Sequence, residues 1–309
     1  MTMTDTNQDH MSEPFRAGFA TLVGRPNVGK STLMNALVGE KIAITSPKPQ
    51  TTRRAVRGIV HRDAGQLIIV DTPGVHRPRT LLGERLNDLV ASTLSDVDVI
   101  GFCVPAGEPI GPGDRFIAEQ LNEAPRAKKI ALVTKAETVT KAELGDQLLA
   151  VSMIRDDWEA IIPVSAVDGI HLETLVTEML ALMPESEPLY PADMITEESF
   201  DQRAAELVRE AALDGVRDEL PHSIAVTIED IVEREDDDDT REVYANLIVE
   251  RESQKGIVIG HGGSRLKSVR ERAQREIQEI SEGRIILLLR VKVAKEWQRD
   301  PKQLGRLGF

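Results

Sequence analysis

Gly24-Arg25-Pro26-Asn27-Val28-Gly29-Lys30-Ser31-Thr32 follows without a break on the apolar run Ala20-Thr21-Leu22-Val23. The spacing is GxxxxGK[ST], set between an expected strand, Ala17 to Val23, and an expected helix, Ser31 to Val38. Gly24 and Gly29 allow the backbone to wrap closely round an anion, so that successive N–H groups point inward. The helix that follows turns its N-terminal dipole toward the same point. Lys30 adds a point charge for the terminal phosphates, and Ser31 adds a hydroxyl for Mg²⁺. The stretch therefore reads as a phosphate-binding loop for a nucleoside triphosphate.

Two further segments stand at the spacing expected of loops that sense the terminal phosphate. Gln50-Thr51-Thr52-Arg53 lies in a polar loop about twenty residues past Lys30. Asp71-Thr72-Pro73-Gly74 ends the apolar run Leu67 to Val70 with a carboxylate at its C-terminal edge, the edge where ligands bind in such sheets. Asp71 is placed to hold Mg²⁺ through a water, and the Gly74 N–H to meet the γ-phosphate. Alone, Asp-Thr-Pro-Gly is also an ordinary turn; its place behind a phosphate loop gives it the second meaning. Val75, next in line, is apolar and does not orient a water, the task of Gln at this site in many nucleotide hydrolases.

Around these segments, apolar runs alternate with helical patterns. Strands are expected at Val97 to Val104, Lys129 to Val133 and Ile161 to Pro163. Helices are expected at Gly83 to Leu94, Gly113 to Asn122, Glu143 to Arg155 and Leu172 to Leu182. Unalternating apolar strands separated by helices predict an α/β domain, a mostly parallel sheet covered on both faces. Three prolines in Pro184 to Pro191 interrupt this pattern. The expected organisation is a polar tail over 1–14, a nucleotide domain over 15–183, a linker over 184–191 and a second domain over 192–309.

The chain has 309 residues, 41% hydrophobic and 29% charged, with a formal net charge of −13. That composition excludes a disordered or collagen-like chain. The single Cys103 excludes an intramolecular disulfide and suits a reducing cytoplasm. No apolar run approaches the roughly 18 residues of a membrane span. Taken whole, −13 argues against nucleic acid, but the charge is divided. Residues 251–309 hold 14 Lys and Arg against 7 Asp and Glu, whereas residues 185–250 hold 21 acidic against 5 basic residues. The acidic run from Glu233 to Asp239 reads as a solvated turn between strands His222 to Glu233 and Val243 to Glu250.

The basic segment carries Gly260-His261-Gly262-Gly263, a GxxG before an expected helix from Ser264 to Ile280. Small residues before a helix N-terminus admit a sugar–phosphate backbone, as in KH domains. Cations for the phosphates would come from Lys255, Arg265, Lys267 and Arg270. Ile257, Val258 and Ile259 fit either a base-binding groove or the core. Aromatic residues are 3% of the chain, too few for a recognition surface built on stacking. A long helix, Phe200 to Leu220, and a strand, Arg284 to Val293, complete the expected α+β domain.

The set GRPNVGKST, ITSPKPQTTRR, DTPGVHRPR and the GxxG segment resembles the Era family of P-loop GTPases, from about Phe15 to Phe309. The resemblance implies a GTP-hydrolysing domain followed by a type II KH domain. It also implies GTP, GDP and Mg²⁺ as ligands, binding to the 3′ end of small-subunit ribosomal RNA, and a part in small-subunit maturation. Peripheral association with the cytoplasmic face of the cell membrane and a monomeric state belong to the same expectation. By the motif match Thr52, with Thr51 as the alternative, gives the second hydroxyl to Mg²⁺. Asn27 either holds K⁺ between the phosphates or only shapes the loop. Gly24 to Thr32 and Asp71 to Val75 then form the phosphate half of the site, and hydrolysis is expected to be slow.

The family reads guanine with NKxD. Here the strand ends in Thr134-Lys135-Ala136-Glu137, which has a hydroxyl in place of the amide and a longer carboxylate. The Lys135 stem is expected over the base plane, Glu137 on guanine N1 and N2, and Ser165-Ala166 on the last base-contacting loop. The altered ends leave two other readings: an NTPase of relaxed base preference, or an RNA-binding protein without turnover.

Overall fold

A computed structural model describes residues 14–46, 48, 51–74, 80–216, 220–234 and 237–309. Apart from Pro14, the expected tail lies outside them, as does Val75. The first unit follows the order β1 (Arg16–Val23), α1 (Lys30–Val38), β2 (Val56–Arg62), β3 (Gly65–Asp71), α2 (Leu81–Asp96) and β4 (Val99–Pro105). It continues with α3 (Pro112–Gln120), β5 (Lys128–Thr134), α4 (Lys141–Ser152), β6 (Ala160–Pro163) and α5 (Leu172–Ala181). The strands form one sheet in the order β2-β3-β1-β4-β5-β6. All neighbours are parallel except β2, which runs antiparallel to β3.

Every residue of β3 and β4 is buried, which is why their sequences do not alternate. On one face Leu33, Met34 and Leu37 of α1 and Leu175 and Met179 of α5 pack on Leu22, Leu67, Ile69 and Leu132. On the other, Val90 of α2, Ile117 of α3 and Val151 of α4 pack on Ile100, Phe102, Ala131 and Val133. The expected strands and helices of this unit are present with shifts at their ends. The addition is β2, whose Arg57, His61 and Arg62 hid an edge strand behind polar residues.

The proline-rich break does not hang free. Gln66, buried in β3, accepts from the Leu189 and Tyr190 N–H groups at 2.8 and 2.9 Å and donates to the Tyr190 carbonyl at 2.7 Å. The chain then bridges to the β2 edge, where the Ile59 N–H donates to the Ile195 carbonyl at 2.8 Å and Thr196 pairs with Gly58. Residues 194–196, expected from sequence in the second domain, thus lie against the first. We place the division at Ser199, whose hydroxyl caps the next helix by accepting from the Gln202 N–H at 3.3 Å.

The second unit runs α6 (Phe200–Leu213), α7 (Leu220–Ser223), β7 (Ala225–Arg234), β8 (Asp237–Val249), α8 (Glu252–Ile259), α9 (Ser264–Glu279), β9 (Arg284–Val293) and α10 (Pro301–Arg306). Its sheet has the order β7-β8-β9, with β7 antiparallel to β8 and β8 parallel to β9. Helices α6 and α9 cover one face through Val208, Ala212, Ala273 and Ile277. The helix expected to reach Leu220 stops at Leu213, since Asp214 is extended and Gly215 takes φ 67°. Strand β8 begins at Asp237, before the expected Val243, so part of the acidic run is strand; Glu235 and Asp236 lie outside the described residues. The apolar stretch Ile257 to Ile259 is the end of α8, with Val258 in the core and Ile257 exposed.

Beyond β9, Trp297, Leu304 and Leu307 are buried against Leu82 and Leu86 of α2, so the C-terminal segment packs on the first unit. No helix among the described residues is long and apolar enough to cross a membrane.

Two glycines test this packing in opposite directions. A Cβ at Gly65 would stand 2.2 Å from the Arg16 carbonyl oxygen, where β3 meets β1. Gly65→Ala should cost about 1–3 kcal/mol in denaturant unfolding. Gly145 in α4 has nothing within 4 Å of its Cβ direction. Gly145→Ala should gain about 0.4–1 kcal/mol in the same measurement.

Candidate nucleotide site and GxxG surface

The parallel register sets Leu22 of β1 beside Asp71 of β3, so both strands deliver their following loops to one edge. Gly24 must lack a side chain, since a Cβ there would lie 2.5 Å from the Cys103 carbonyl oxygen. The loop then turns through Asn27 (φ 65°) and Gly29 (φ 100°) into α1, whose N-terminus carries no side-chain cap. Its first N–H groups are thereby left for an anion. Lys30 is buried and donates from Nζ to the Gly24 and Arg25 carbonyls, both at 3.0 Å. Burial pushes its pKa down, against an opposing pull from the Asp71 charge.

Asp71 is fully buried. Its Oδ2 accepts from Ser31 Oγ at 2.6 Å and from Thr52 Oγ1 at 3.0 Å, while those hydroxyls lie 3.2 Å apart. Burial raises its carboxyl pKa, opposed first by the Ser31 hydrogen bond and the charge of Lys30. Its Oδ1 is buried without a hydrogen-bond partner. An orphaned carboxylate oxygen beside two hydroxyls is a hard-oxygen donor set that fits Mg²⁺. Between the candidates, Thr52 joins this set; Thr51 turns away and donates to the Lys48 carbonyl at 2.6 Å.

A cavity of about 360 Å³ opens over these groups, lined in part by Asn27, Lys30, Thr32, Thr72, Gly74 and Lys135. Arg25 points elsewhere: its guanidinium donates to Asp114 at 2.7 Å and Glu108 at 2.9 Å, so this position contributes backbone only. Cys103, behind the loop, has its thiol pushed up to about 12 by burial and stays neutral.

The base end differs from the sequence expectation. Thr134 is buried, and its hydroxyl donates to the Val28 carbonyl at 2.6 Å, with the Val104 carbonyl at 3.3 Å. A hydroxyl has one proton, so Thr134 ties β5 to the phosphate loop and has no proton left for a base. Lys135, at φ 56°, donates from Nζ to the Asn27 carbonyl at 2.7 Å and bridges the same two loops. Glu137 keeps a buried Oε2 without a partner. The Ala136 N–H donates to the Val164 carbonyl at 3.1 Å, which brings Ser165 and Ala166 beside this turn.

In the second unit Gly260, Gly262 and Gly263 all take positive φ, at 73°, 57° and 80°. Nothing lies within 4 Å of the Cβ directions of Gly262 and Gly263, so their backbone is open to a close-packed ligand. His261 and Lys267 are exposed, and Lys255 and Arg270 half-buried. Arg265 is already engaged: it donates to the Asp214 carbonyl at 2.6 Å and the Ala212 carbonyl at 3.3 Å, capping the end of α6. That withdraws it from the expected phosphate contacts.

Sequence reading missed the contacts that join the units. Arg53 is buried and donates to the carbonyls of Ile224, Pro221 and His222 at 2.7, 3.0 and 2.8 Å. Arg54 donates to the Leu307 carbonyl at 2.5 Å and lies over the Phe309 ring. Glu210 accepts from the Thr45 N–H at 3.0 Å and pairs with Lys41 at 2.5 Å. The only sequence signal was two arginines directly after the loop threonines.

A phosphate loop, a buried carboxylate with two hydroxyls, and a GxxG module define a P-loop GTPase joined to a KH domain. The family described as 50S ribosome-binding GTPase matches residues 19–136, and the KH domain family matches residues 219–298. The chain is 67% identical to GTPase Era of Leifsonia xyli subsp. xyli over 96% of its own length and 99% of the relative's. It is 57% identical, with the same coverage, to GTPase Era of Mycobacterium avium. Among solved structures it resembles an Aquifex aeolicus Era variant bound to GDP and AlF4⁻, at 35% identity and a TM-score of 0.91 over 95% of this chain and 99% of that one. It also resembles Era in complex with MgGDPNP and nucleotides 1506–1542 of 16S ribosomal RNA, at 36% identity and a TM-score of 0.90 with the same coverage. The chain belongs to the Era family of GTPases.

Thr134→Val tests the tie at the base end. It leaves the Val28 carbonyl buried and unpaired, which should cost about 1–3 kcal/mol in the unfolding of the nucleotide-free protein. Unchanged stability together with weakened GTP binding would instead place Thr134 on the base.

Proposed function

We propose that this chain hydrolyses GTP at the Asp71 site and uses its GxxG surface to bind the 3′ end of small-subunit ribosomal RNA, assisting subunit maturation. The convergence of Ser31, Thr52 and Asp71 carries the first half. Those three oxygens would hold Mg²⁺, Asp71 directly or through a water. The ion would neutralise charge on the β- and γ-phosphates as the bond to the leaving diphosphate breaks. Lys30, already desolvated, donates to the same oxygens once phosphate displaces the Gly24 and Arg25 carbonyls. The Gly24 to Thr32 backbone orients the chain of phosphates, and the Gly74 N–H meets the γ-phosphate. Asn27 lines the cavity beside Lys30 and is the candidate ligand for K⁺.

Guanine preference rests on Glu137. A carboxylate accepts from the N1 and N2 donors of guanine and finds no donor at N1 of adenine. With the Thr134 proton committed to Val28, this acceptor, the Lys135 stem and the Ser165-Ala166 backbone remain for the base. GTP should compete at least tenfold better than ATP for the site, measured by displacement of labelled GDP. Equal competition removes Glu137 as the reader and leaves a triphosphatase of relaxed base preference.

The RNA assignment is supported by the open glycines at 262 and 263, by the positive charge of residues 251–309, and by the RNA complex of the related Era. Gly260, His261, Gly262 and Gly263 would clamp the RNA backbone, with Lys255, Lys267 and Arg270 neutralising phosphates. Gly262→Asp with Gly263→Asp sets carboxylates on that path. RNA affinity, read by filter binding of a 3′-terminal small-subunit RNA fragment, should fall more than tenfold while basal GTP turnover holds. Retained RNA affinity would remove the GxxG loop as the RNA contact; absent turnover in the unsubstituted chain would leave an RNA-binding protein alone. The same reading includes peripheral contact with the cytoplasmic face of the cell membrane; the chain should co-sediment with anionic vesicles, and recovery in the supernatant alone would remove that part.

A further inference from the structure

Thr52 is held from both sides by the second unit. On its N-terminal side the Thr51 carbonyl accepts a hydrogen bond from Arg209 Nη2 of α6. On its C-terminal side Arg53 is 2% exposed and reaches three carbonyls in the turn 221–224. The remaining carbonyl of that turn, on Ser223, accepts from Trp297 Nε1 at 3.0 Å, and the Arg53 guanidinium lies 5.8 Å from the centre of the Trp297 ring. No carboxylate hydrogen-bonds this buried cation in the described structure; burial and the neighbouring Arg209 charge push its pKa down to about 9.

A guanidinium buried at such cost, one residue from a candidate metal ligand, needs a reason. Stability alone is a poor one, since an apolar side chain of similar volume is often as good in such a place. Its geometry supplies a better one. A planar fork fixed on three carbonyls defines the path of its own backbone closely, which an ammonium on a flexible stem does not. The next residue back is Thr52, whose Oγ1 stands 3.0 Å from Asp71 and 3.2 Å from Ser31.

We propose that Arg53 is a positioning residue for hydrolysis, with the 221–224 turn as the template that sets the Thr52 hydroxyl over Asp71 and Ser31. The proposal rests on the reading of Thr52 as a Mg²⁺ ligand. Arg209 supports the same segment through Thr51. The GTPase site is thus complete only with the second unit docked. GDP binding, which uses the Gly24 to Thr32 loop, does not depend on the template.

The test is the Mg²⁺ dependence of GTP turnover by the full chain, with GDP affinity and melting temperature alongside. Displacing a catalytic group by about 1 Å costs up to about 10²-fold in rate. Arg53→Lys should therefore lower kcat about tenfold or more and raise the Mg²⁺ concentration for half-maximal rate, with GDP affinity unchanged. Thr52→Ala should raise the Mg²⁺ requirement at least as far, and adding Arg53→Lys to Thr52→Ala should change it no further. Independent effects that multiply in the double variant overturn the positioning role. A Thr52→Ala variant with the original Mg²⁺ requirement overturns the reading of Thr52, and the proposal with it. A shifted Thr52→Ala beside an unshifted Arg53→Lys overturns the proposal alone. If Arg53→Lys lowers the melting temperature below the assay range, Arg209→Lys takes its place with the same expected results.

Discussion

A carboxylate with no access to water organises this molecule. Asp71 ends a strand buried along its whole length, and one of its oxygens has no partner among the described residues. A buried acceptor without a side-chain donor costs free energy unless a partner meets it, and here the Thr72 backbone is a nearby protein group that eases it. The parallel sheet brings the rest of the site to it. The Leu22–Asp71 register places the phosphate loop beside it, and α1 presents Ser31 from its first turn. Thr52 arrives from the loop between α1 and β2. The unmet acceptor is thus a binding capacity maintained by the fold.

The same carboxylate explains why the two units are in such close contact. Two of its three neighbours, Lys30 and Ser31, sit on a regular helix, where backbone hydrogen bonds fix them. The third, Thr52, sits in a segment without regular structure, which has no internal means of holding its shape. What holds it is the second unit, through Arg209 and Arg53 beside Thr52 and through Glu210 at Thr45. The arginine anchors are set against neutral carbonyls, and Glu210 against the Thr45 N–H and the Lys41 ammonium, so these polar contacts can exchange for water as the units part. Buried apolar contacts between Leu82 and Leu86 of α2 and Trp297, Leu304 and Leu307 supply the less separable part of the junction.

How much of this was legible follows from how local each feature is. The phosphate loop and the GxxG were readable because their chemistry lies in consecutive residues. The buried strands showed as unalternating apolar runs. Strand β2 was not readable, since Arg57-Gly58-Ile59-Val60-His61-Arg62 gives no apolar run of strand length. The contacts of residues 194–196 with β2 were not legible because edge pairing uses backbone groups, which carry no sequence signature. Arg265 looked like a phosphate ligand by position and charge. Only the structure shows α6 ending at Leu213 with its last carbonyls turned toward that guanidinium. Thr134 belongs to the same class: the sequence shows a hydroxyl, and the fold decides where its one proton goes.

The division of charge takes on a different meaning once contacts are known. Read along the sequence, the basic segment 251–309 is a surface for RNA and the acidic remainder a body that repels it. In space, part of each is spent on the other. Arg272 pairs with Asp214 of the acidic remainder, and Lys41 of the first unit with Glu276 of the basic segment. Arg53 and Arg54, outside the basic segment, are spent on carbonyls of the second unit. Of the cations beside the GxxG, Lys267 and Arg270 both lie within 4.0 Å of Glu271, which offsets part of their charge. With that charge partly offset, the proposed RNA contact draws on close backbone approach at the glycines and on base edges as well as on phosphates. Such a contact favours a particular single-stranded segment over polyanions in general.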